Sequence, residues 1–156
     1  MHSKIKMKIL VIGCAVLTRH CIKEFLKYKE DDLIAIFTLR DKDLHKKSRF
    51  VILDDLAFKY KIPLYKVDNI NNEENIRLIK KLNPDVIFEI GWSQIIKKDI
   101  LQIPEKGCIG VHCSYLPKNQ GAASLNWALI NGENKWGVSL FYLEEQLDKG
   151  DIIDQV

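Results

Sequence analysis

One doubly wound α/β domain, built on a mostly parallel sheet, is the architecture this sequence predicts, and three observations carry it. Short apolar runs, several of them ending on glycine, recur along the chain as buried parallel strands do. Between them lie segments whose apolar residues repeat at helical spacing. The alternation continues over all 156 residues without a repeat, a low-complexity tract or a linker, so a single domain with a real core is expected.

Taken in order, residues 7–13 (MKILVIG) read as the first buried strand. Thr18 is placed to cap the helix that follows, whose apolar face is Cys21, Ile22, Phe25 and Leu26. Residues 33–38 (LIAIFT) make the second strand, and the crossover joining the two should be right-handed. Residues 40–49 (RDKDLHKKSR) read as a charged, solvated loop with His45 exposed; its functional alternative is an electrostatic guide for a phosphorylated substrate. Residues 50–61 read as a helix with Val51, Leu53, Leu56, Ala57 and Tyr60 on its apolar face, residues 62–67 as a short strand, and residues 72–82 as a helix stopped by Asn83 and Pro84.

Residues 85–91 (DVIFEIG) give the fourth strand, and Trp92, Ser93, Gln94, Ile95 and Ile96 follow its glycine at the carboxyl end of the sheet, where open α/β folds bind ligands. Trp92 offers an aromatic face for a flat heterocycle or for core packing. A short helix near residues 97–102 precedes an apolar strand that ends on His112. Residues 122–131 read as a helix facing the core through Leu125, Ala128 and Leu129 and stopped by Gly132, and residues 137–143 as the last clear strand.

Composition narrows the function. With 47% hydrophobic and 29% charged residues the chain is globular, and its net charge of +3 permits a small anionic substrate without arguing for DNA. No apolar run reaches the roughly 18 to 20 residues a bilayer span needs, so no membrane partner is expected and the cytoplasm is the expected compartment. Cys14, Cys21, Cys108 and Cys113 lack CxxC spacing, which disfavours zinc and suggests mostly buried thiols; Cys113 beside His112 is only a weak candidate nucleophile. Residues 13–18 contain Gly13 alone among glycines, too few for a dinucleotide or phosphate cradle. The chemistry is expected at His112, a strand-end imidazole able to exchange a proton near neutral pH. Asp148 lies 36 residues further on, in the acidic turn LDKGD, and a carboxylate brought beside the ring would orient it and stabilise its protonated form.

Three separated segments, GWSQII, HCSYLPKNQGAASLNWALING and GVSLFYLEEQLDKGDII, together resemble the catalytic domain of formyltransferases that use 10-formyltetrahydrofolate. The resemblance covers the chain from residue 7 to its end and implies a Rossmann-like domain, incomplete at its C-terminal end or covered there by a partner such as a second copy. It implies that His112 assists proton transfer or donates to the developing oxyanion, and that Asp148 helps remove the amine proton. Trp92, Gln94 and Ile96 would hold the folate, with Glu144, Gln146 and Leu147 closing the other side; neither metal nor nicotinamide is required. One departure stands out. The family usually carries Asn two residues before this histidine, as the oxyanion donor, and here Gly110 takes that place. Asn119 is the first candidate replacement, with Ser114 and Gln120 behind it. Gln120 and Ser124 also stand where Arg and Pro are common. The expected acceptor is the amine of a nucleotide-linked amino sugar, followed by methionyl-tRNA and then glycinamide ribonucleotide. The alternatives are hydrolysis of the same donor and a non-catalytic module that binds folate or a nucleotide sugar.

Overall fold

Alternation along each strand sends odd and even residues to opposite faces of a sheet, so a sheet with apolar residues at both sets of positions must be covered on both sides. The computed structural model describes residues 6–28, 31–40 and 50–156. Its seven strands are β1 (Lys8–Ile12), β2 (Asp32–Leu39), β3 (Leu64–Val67), β4 (Val86–Glu89), β5 (Cys108–His112), β6 (Ser139–Tyr142) and β7 (Ile152–Gln155). They form one sheet in the order β3-β2-β1-β4-β5-β6-β7. The first five are parallel, and β6 and β7 extend the edge by antiparallel pairing.

The helices are α1 (Val16–Lys27), α2 (Asp54–Tyr60), α3 (Glu73–Leu82), α4 (Lys98–Leu101) and α5 (Ser124–Ile130). On one face Leu10, Ile12, Phe37, Ile87 and Cys108 pack with Ile79 of α3 and Ile100 of α4. On the other, Ile9, Val11, Ile36 and Val86 pack with Ile22 of α1 and Leu56 of α2. Both layers of the doubly wound fold are thus in place. No helix among the described residues is long and apolar enough to cross a membrane.

Several sequence expectations are corrected. Thr18 does not cap α1 from outside. The helix starts earlier, with Ala15 at the cap position, and Thr18 sits in its first turn, fully buried. There its Oγ1 accepts the Ala15 N–H at 3.0 Å and donates to the Ile90 carbonyl. The helix expected over residues 50–61 begins only at Asp54, because Leu53 occupies the cap position, and Tyr60 is exposed. In α5, Ala128 faces the core but Leu129 is 70% exposed, alongside exposed Trp127 and Ile130, because the seven-residue helix packs through Ser124 and Ala128. Strand β7 was not foreseen: its residues are mostly exposed, so it lacks the buried alternation that marks a strand. Arg40 pairs with Asp68 at 3.0 Å, while the rest of the charged loop, His45 included, lies outside the described residues.

This sheet changes direction of winding between β1 and β4, where open α/β folds usually present a ligand crevice. Here the Thr18 bond to Ile90 and the Cys14 N–H to Gly91 carbonyl bond of 3.4 Å tie the two strand ends together. The opening is displaced by one strand, to the ends of β4 and β5. Replacing Thr18 by Val keeps the side-chain shape and strands two buried partners, so a loss of about 1–3 kcal/mol is expected in urea denaturation. An unchanged unfolding midpoint would show that the hydroxyl contributes nothing to holding α1 on β4.

Candidate functional site

The opening is a cavity of about 520 Å³ on the α3/α4 face of the sheet, within the usual size range of small-molecule sites. Three chain segments make it. Strand β5 presents Cys108, Gly110 and His112 to this face, and the residue that pairs with Gly110 on the neighbouring parallel strand β4 is Glu89. The loop after β4 supplies Trp92, Gln94 and Ile96. The third segment is residues 143–148. Because β6 runs antiparallel, the chain leaves it at the far end of β5 and must cross back over the sheet face to reach His112.

Two glycines allow that return. A Cβ on Gly110 would lie 2.5 Å from Leu143 Cδ2, so Leu143 fills the space that a side chain at this position would need. A Cβ on Gly150 would lie 1.7 Å from the Tyr142 carbonyl oxygen, so no other residue permits the turn to close on the end of β6. At the tip of the loop Asp148 adopts a left-handed backbone conformation with φ of 54°. Its Oδ2 accepts the Gly121 N–H at 2.7 Å, and its main-chain oxygen accepts Gln120 Nε2–H at 2.6 Å. A surface ion pair of 2.9 Å between Lys98 and Glu145 ties the same loop to α4.

The structure therefore brings His112 and Asp148 together, at 3.7 Å between Nδ1 and Oδ2, with both side chains largely shielded from solvent. His112 Nε2 lies 2.8 Å from the main-chain oxygen of Asn119. A carbonyl only accepts, so Nε2 carries a proton and Nδ1 is the nitrogen turned to the carboxylate. Trp92, Gln94, Ile96, Glu144 and Leu147 all line the cavity; Gln146 is exposed and does not. Gln94 is spent on structure, since its side chain accepts from Ile70 N–H and donates to the Asp68 carbonyl. Trp92 packs against the core, and its Nε1–H is buried without an acceptor among the described residues.

Asn119 does not line this cavity. Its side-chain amide donates to the Glu133 carboxylate at 2.9 and 3.1 Å, so it is engaged away from the His112 ring, and only its main chain meets that ring. Ser114 and Gln120 donate to main-chain carbonyls, of Lys118 and Asp148. Cys113 is exposed and outside the cavity, and the buried Cys108 thiol is pushed up to about 12 by desolvation, which makes it a poor nucleophile.

Glu89 was missed in the sequence, where it reads as one polar residue inside an apolar strand. Burial holds its carboxyl well above the ordinary value, at about 7; the Trp92 N–H bonded to Oε1 at 2.8 Å pulls the other way, and the nearby Asp148 charge adds to the rise. The signal available was the position itself: an acidic residue in a strand predicted to be buried must pair, coordinate or hold a proton.

Comparison with known proteins fits this geometry. The family profile described as formyl transferase matches residues 6–156. The methionyl-tRNA formyltransferase of Clostridioides difficile strain 630 is 40% identical over 149 residues, 94% of this chain and 48% of that protein. The bifunctional polymyxin resistance protein ArnA of Wigglesworthia glossinidia brevipalpis is 38% identical over 123 residues, 79% of this chain and 19% of its own length. The chain thus spans half or less of the length of these curated relatives. The crystal structure of glycinamide ribonucleotide transformylase 1 from Geobacillus kaustophilus superimposes with a TM-score of 0.79 at 17% identity, over 97% of this chain and 81% of that one, which establishes the shared fold.

The raised Glu89 value has a consequence for stability. The folded protein holds this proton between the ordinary value of 4.5 and about 7, so the group's contribution is complete below 4.5 and is lost as pH rises through 7. Glu89→Gln cannot ionise. Relative to the parent it should gain about 3 kcal/mol between acid and mildly alkaline pH, at about 1.4 kcal/mol per pKa unit. Urea denaturation across that range reads the difference, and a constant offset at every pH would show that Glu89 ionises normally.

Proposed function

The chain belongs to the formyl transferase family, and from that premise we propose that its cavity receives 10-formyltetrahydrofolate and directs transfer of the formyl group to a primary amine. The observation that carries the reading is the convergence of His112 and Asp148 on one ligand-sized cavity, two side chains whose roles the sequence resemblance assigned in advance. The donor suits the cavity walls. Trp92 and Ile96 give flat and apolar surface against which a heterocycle can pack.

As the amine attacks the formyl carbon it must lose a proton. His112 is arranged to take it at Nδ1, because Nε2–H is already held by the Asn119 carbonyl. Asp148 stabilises the imidazolium that forms, from 3.7 Å, and is itself fixed by the Gly121 N–H. The ring then returns the proton to the departing folate nitrogen. A positioned acid and base of this kind contributes about 10² to 10⁴ in rate.

For the acceptor, we favour the aminoacyl amine of methionyl-tRNA, because curated relatives matching 94% of the chain at 35 to 40% identity carry the name methionyl-tRNA formyltransferase. A nucleotide-linked amino sugar is the second reading. It is supported by the resemblance of GWSQII and of the segment from Leu116 to Ser124 to enzymes acting on such sugars, and it moves below the first on the strength of those relatives.

Incubating the chain with 10-formyltetrahydrofolate and each acceptor, followed by mass detection of an added formyl group, separates these readings. Formate released without any acceptor would identify a hydrolase, and folate binding without turnover a non-catalytic module. Replacing His112 by Ala is expected to lower turnover by at least about 10², with folate affinity largely kept. Retained turnover would remove His112 from the mechanism.

A further inference from the structure

The family resemblance places an oxyanion-stabilising Asn where this chain has Gly110, and none of Asn119, Ser114 and Gln120 is disposed to replace it. The Asn119 amide is bonded to Glu133 and the Ser114 hydroxyl to Lys118, and Gln120, whose amide donates to the Asp148 carbonyl, does not line the cavity. Nor can Gly110 simply be a vacancy for another side chain, since Leu143 fills that space. The polar group nearest in the sheet is one strand away. Glu89 pairs with Gly110 in the β4–β5 register, so the two positions share a face and are separated by about 5 Å, the spacing of adjacent strands.

We infer that Glu89, as a neutral carboxylic acid, donates the hydrogen bond to the formyl oxygen that strand β5 cannot supply from Gly110. This role rests on the formyl-transfer reading above. Three observations support it. Glu89 lines the same cavity as His112 and Asp148. Its Oε1 is fixed by the Trp92 N–H, and its second oxygen has no partner among the described residues. Finally, no Lys or Arg side chain among the described residues lines the cavity to hold the group as a carboxylate.

The groups facing Glu89 agree with a retained proton. From β1 its register partner is the apolar Ile12, from β5 comes His112, and from the crossing loop come Asp148 and Glu144. Two of these are carboxylates, and burial and the Asp148 charge both raise the pKa of Glu89. A carboxylic acid kept neutral near pH 7 by its surroundings is an established kind of oxyanion donor in other folds.

The step balances without a further reactant. The amine lone pair forms the new C–N bond, and the carbonyl π pair moves onto oxygen, where the Glu89 O–H donates a hydrogen bond without giving up its proton. When that pair returns, the bond from carbon to the folate nitrogen breaks, and the leaving nitrogen takes the proton that the amine lost through His112.

Steady-state kinetics of the chain, its Glu89→Ala and its Glu89→Gln variants, across pH and with the acceptor that the parent formylates, tests this. Glu89→Ala should lose about 10² to 10³ in kcat with little change in the KM for the donor. The parent's kcat should decline as pH rises past about 7, whereas Glu89→Gln keeps an uncharged donor, so it should fall by no more than about tenfold and should lack that decline. Infrared difference spectra should show a protonated carboxyl band in the parent that is missing in Glu89→Gln. Unchanged kcat in Glu89→Ala, a parent decline that persists in Glu89→Gln, or no such band would overturn the role of Glu89 while leaving formyl transfer intact. A parent chain that formylates no acceptor and releases no formate would overturn the formyl-transfer reading, and this role with it.

Discussion

The 2.7 Å hydrogen bond from Gly121 N–H to Asp148 Oδ2 is the closure on which the site depends. Residues 143–148 leave the antiparallel strand β6 at the wrong end of β5. With the bond in place the loop lies across the sheet face, Leu143 rests on Gly110, and the cavity lies beneath it. The bond also fixes which side of the imidazole meets the carboxylate. With Asp148 held by Gly121, and Nε2 of His112 held by Asn119, neither partner is left to rotate.

The cavity is unusual in its charge. Among the described residues, three carboxyl groups, Glu89, Glu144 and Asp148, border it with one imidazole and no fixed cation. Of the three, Glu89 is the one whose charge burial disfavours. Such a site favours electron-poor heterocycles and cationic or amine-bearing substrates, and it handles protons internally. The surface outside the site is less finished: Trp127, Leu129 and Ile130 of α5 and Ile152, Ile153 and Val156 around β7 are exposed, all on or beyond the antiparallel side of the sheet.

The parallel half of the fold was readable because burial on both faces writes itself into the sequence as runs such as KILVI and IAIFT. The antiparallel edge was not, since β7 is exposed and carries no comparable pattern. His112 and Asp148 were legible as residue types at strand and turn ends, but their 3.7 Å approach depends on a loop crossing that no local pattern encodes. The expectation for Asn119 rested on chemical type alone, and Glu133, fourteen residues away, claims its amide. Glu89 was hidden for the opposite reason. Its meaning lies in a cross-strand register with Gly110, which only the assembled sheet reveals.

Binding of the folate donor in the cavity beneath the crossing loop is the premise on which the proposed chemistry rests. Titrating the isotope-labelled chain with 10-formyltetrahydrofolate while following the three indole N–H resonances by NMR addresses that directly. The Trp92 signal should move as the donor settles against its ring, and the exposed Trp127 should stay in place. A Trp92 resonance that does not shift at donor concentrations saturating the protein would contradict the account.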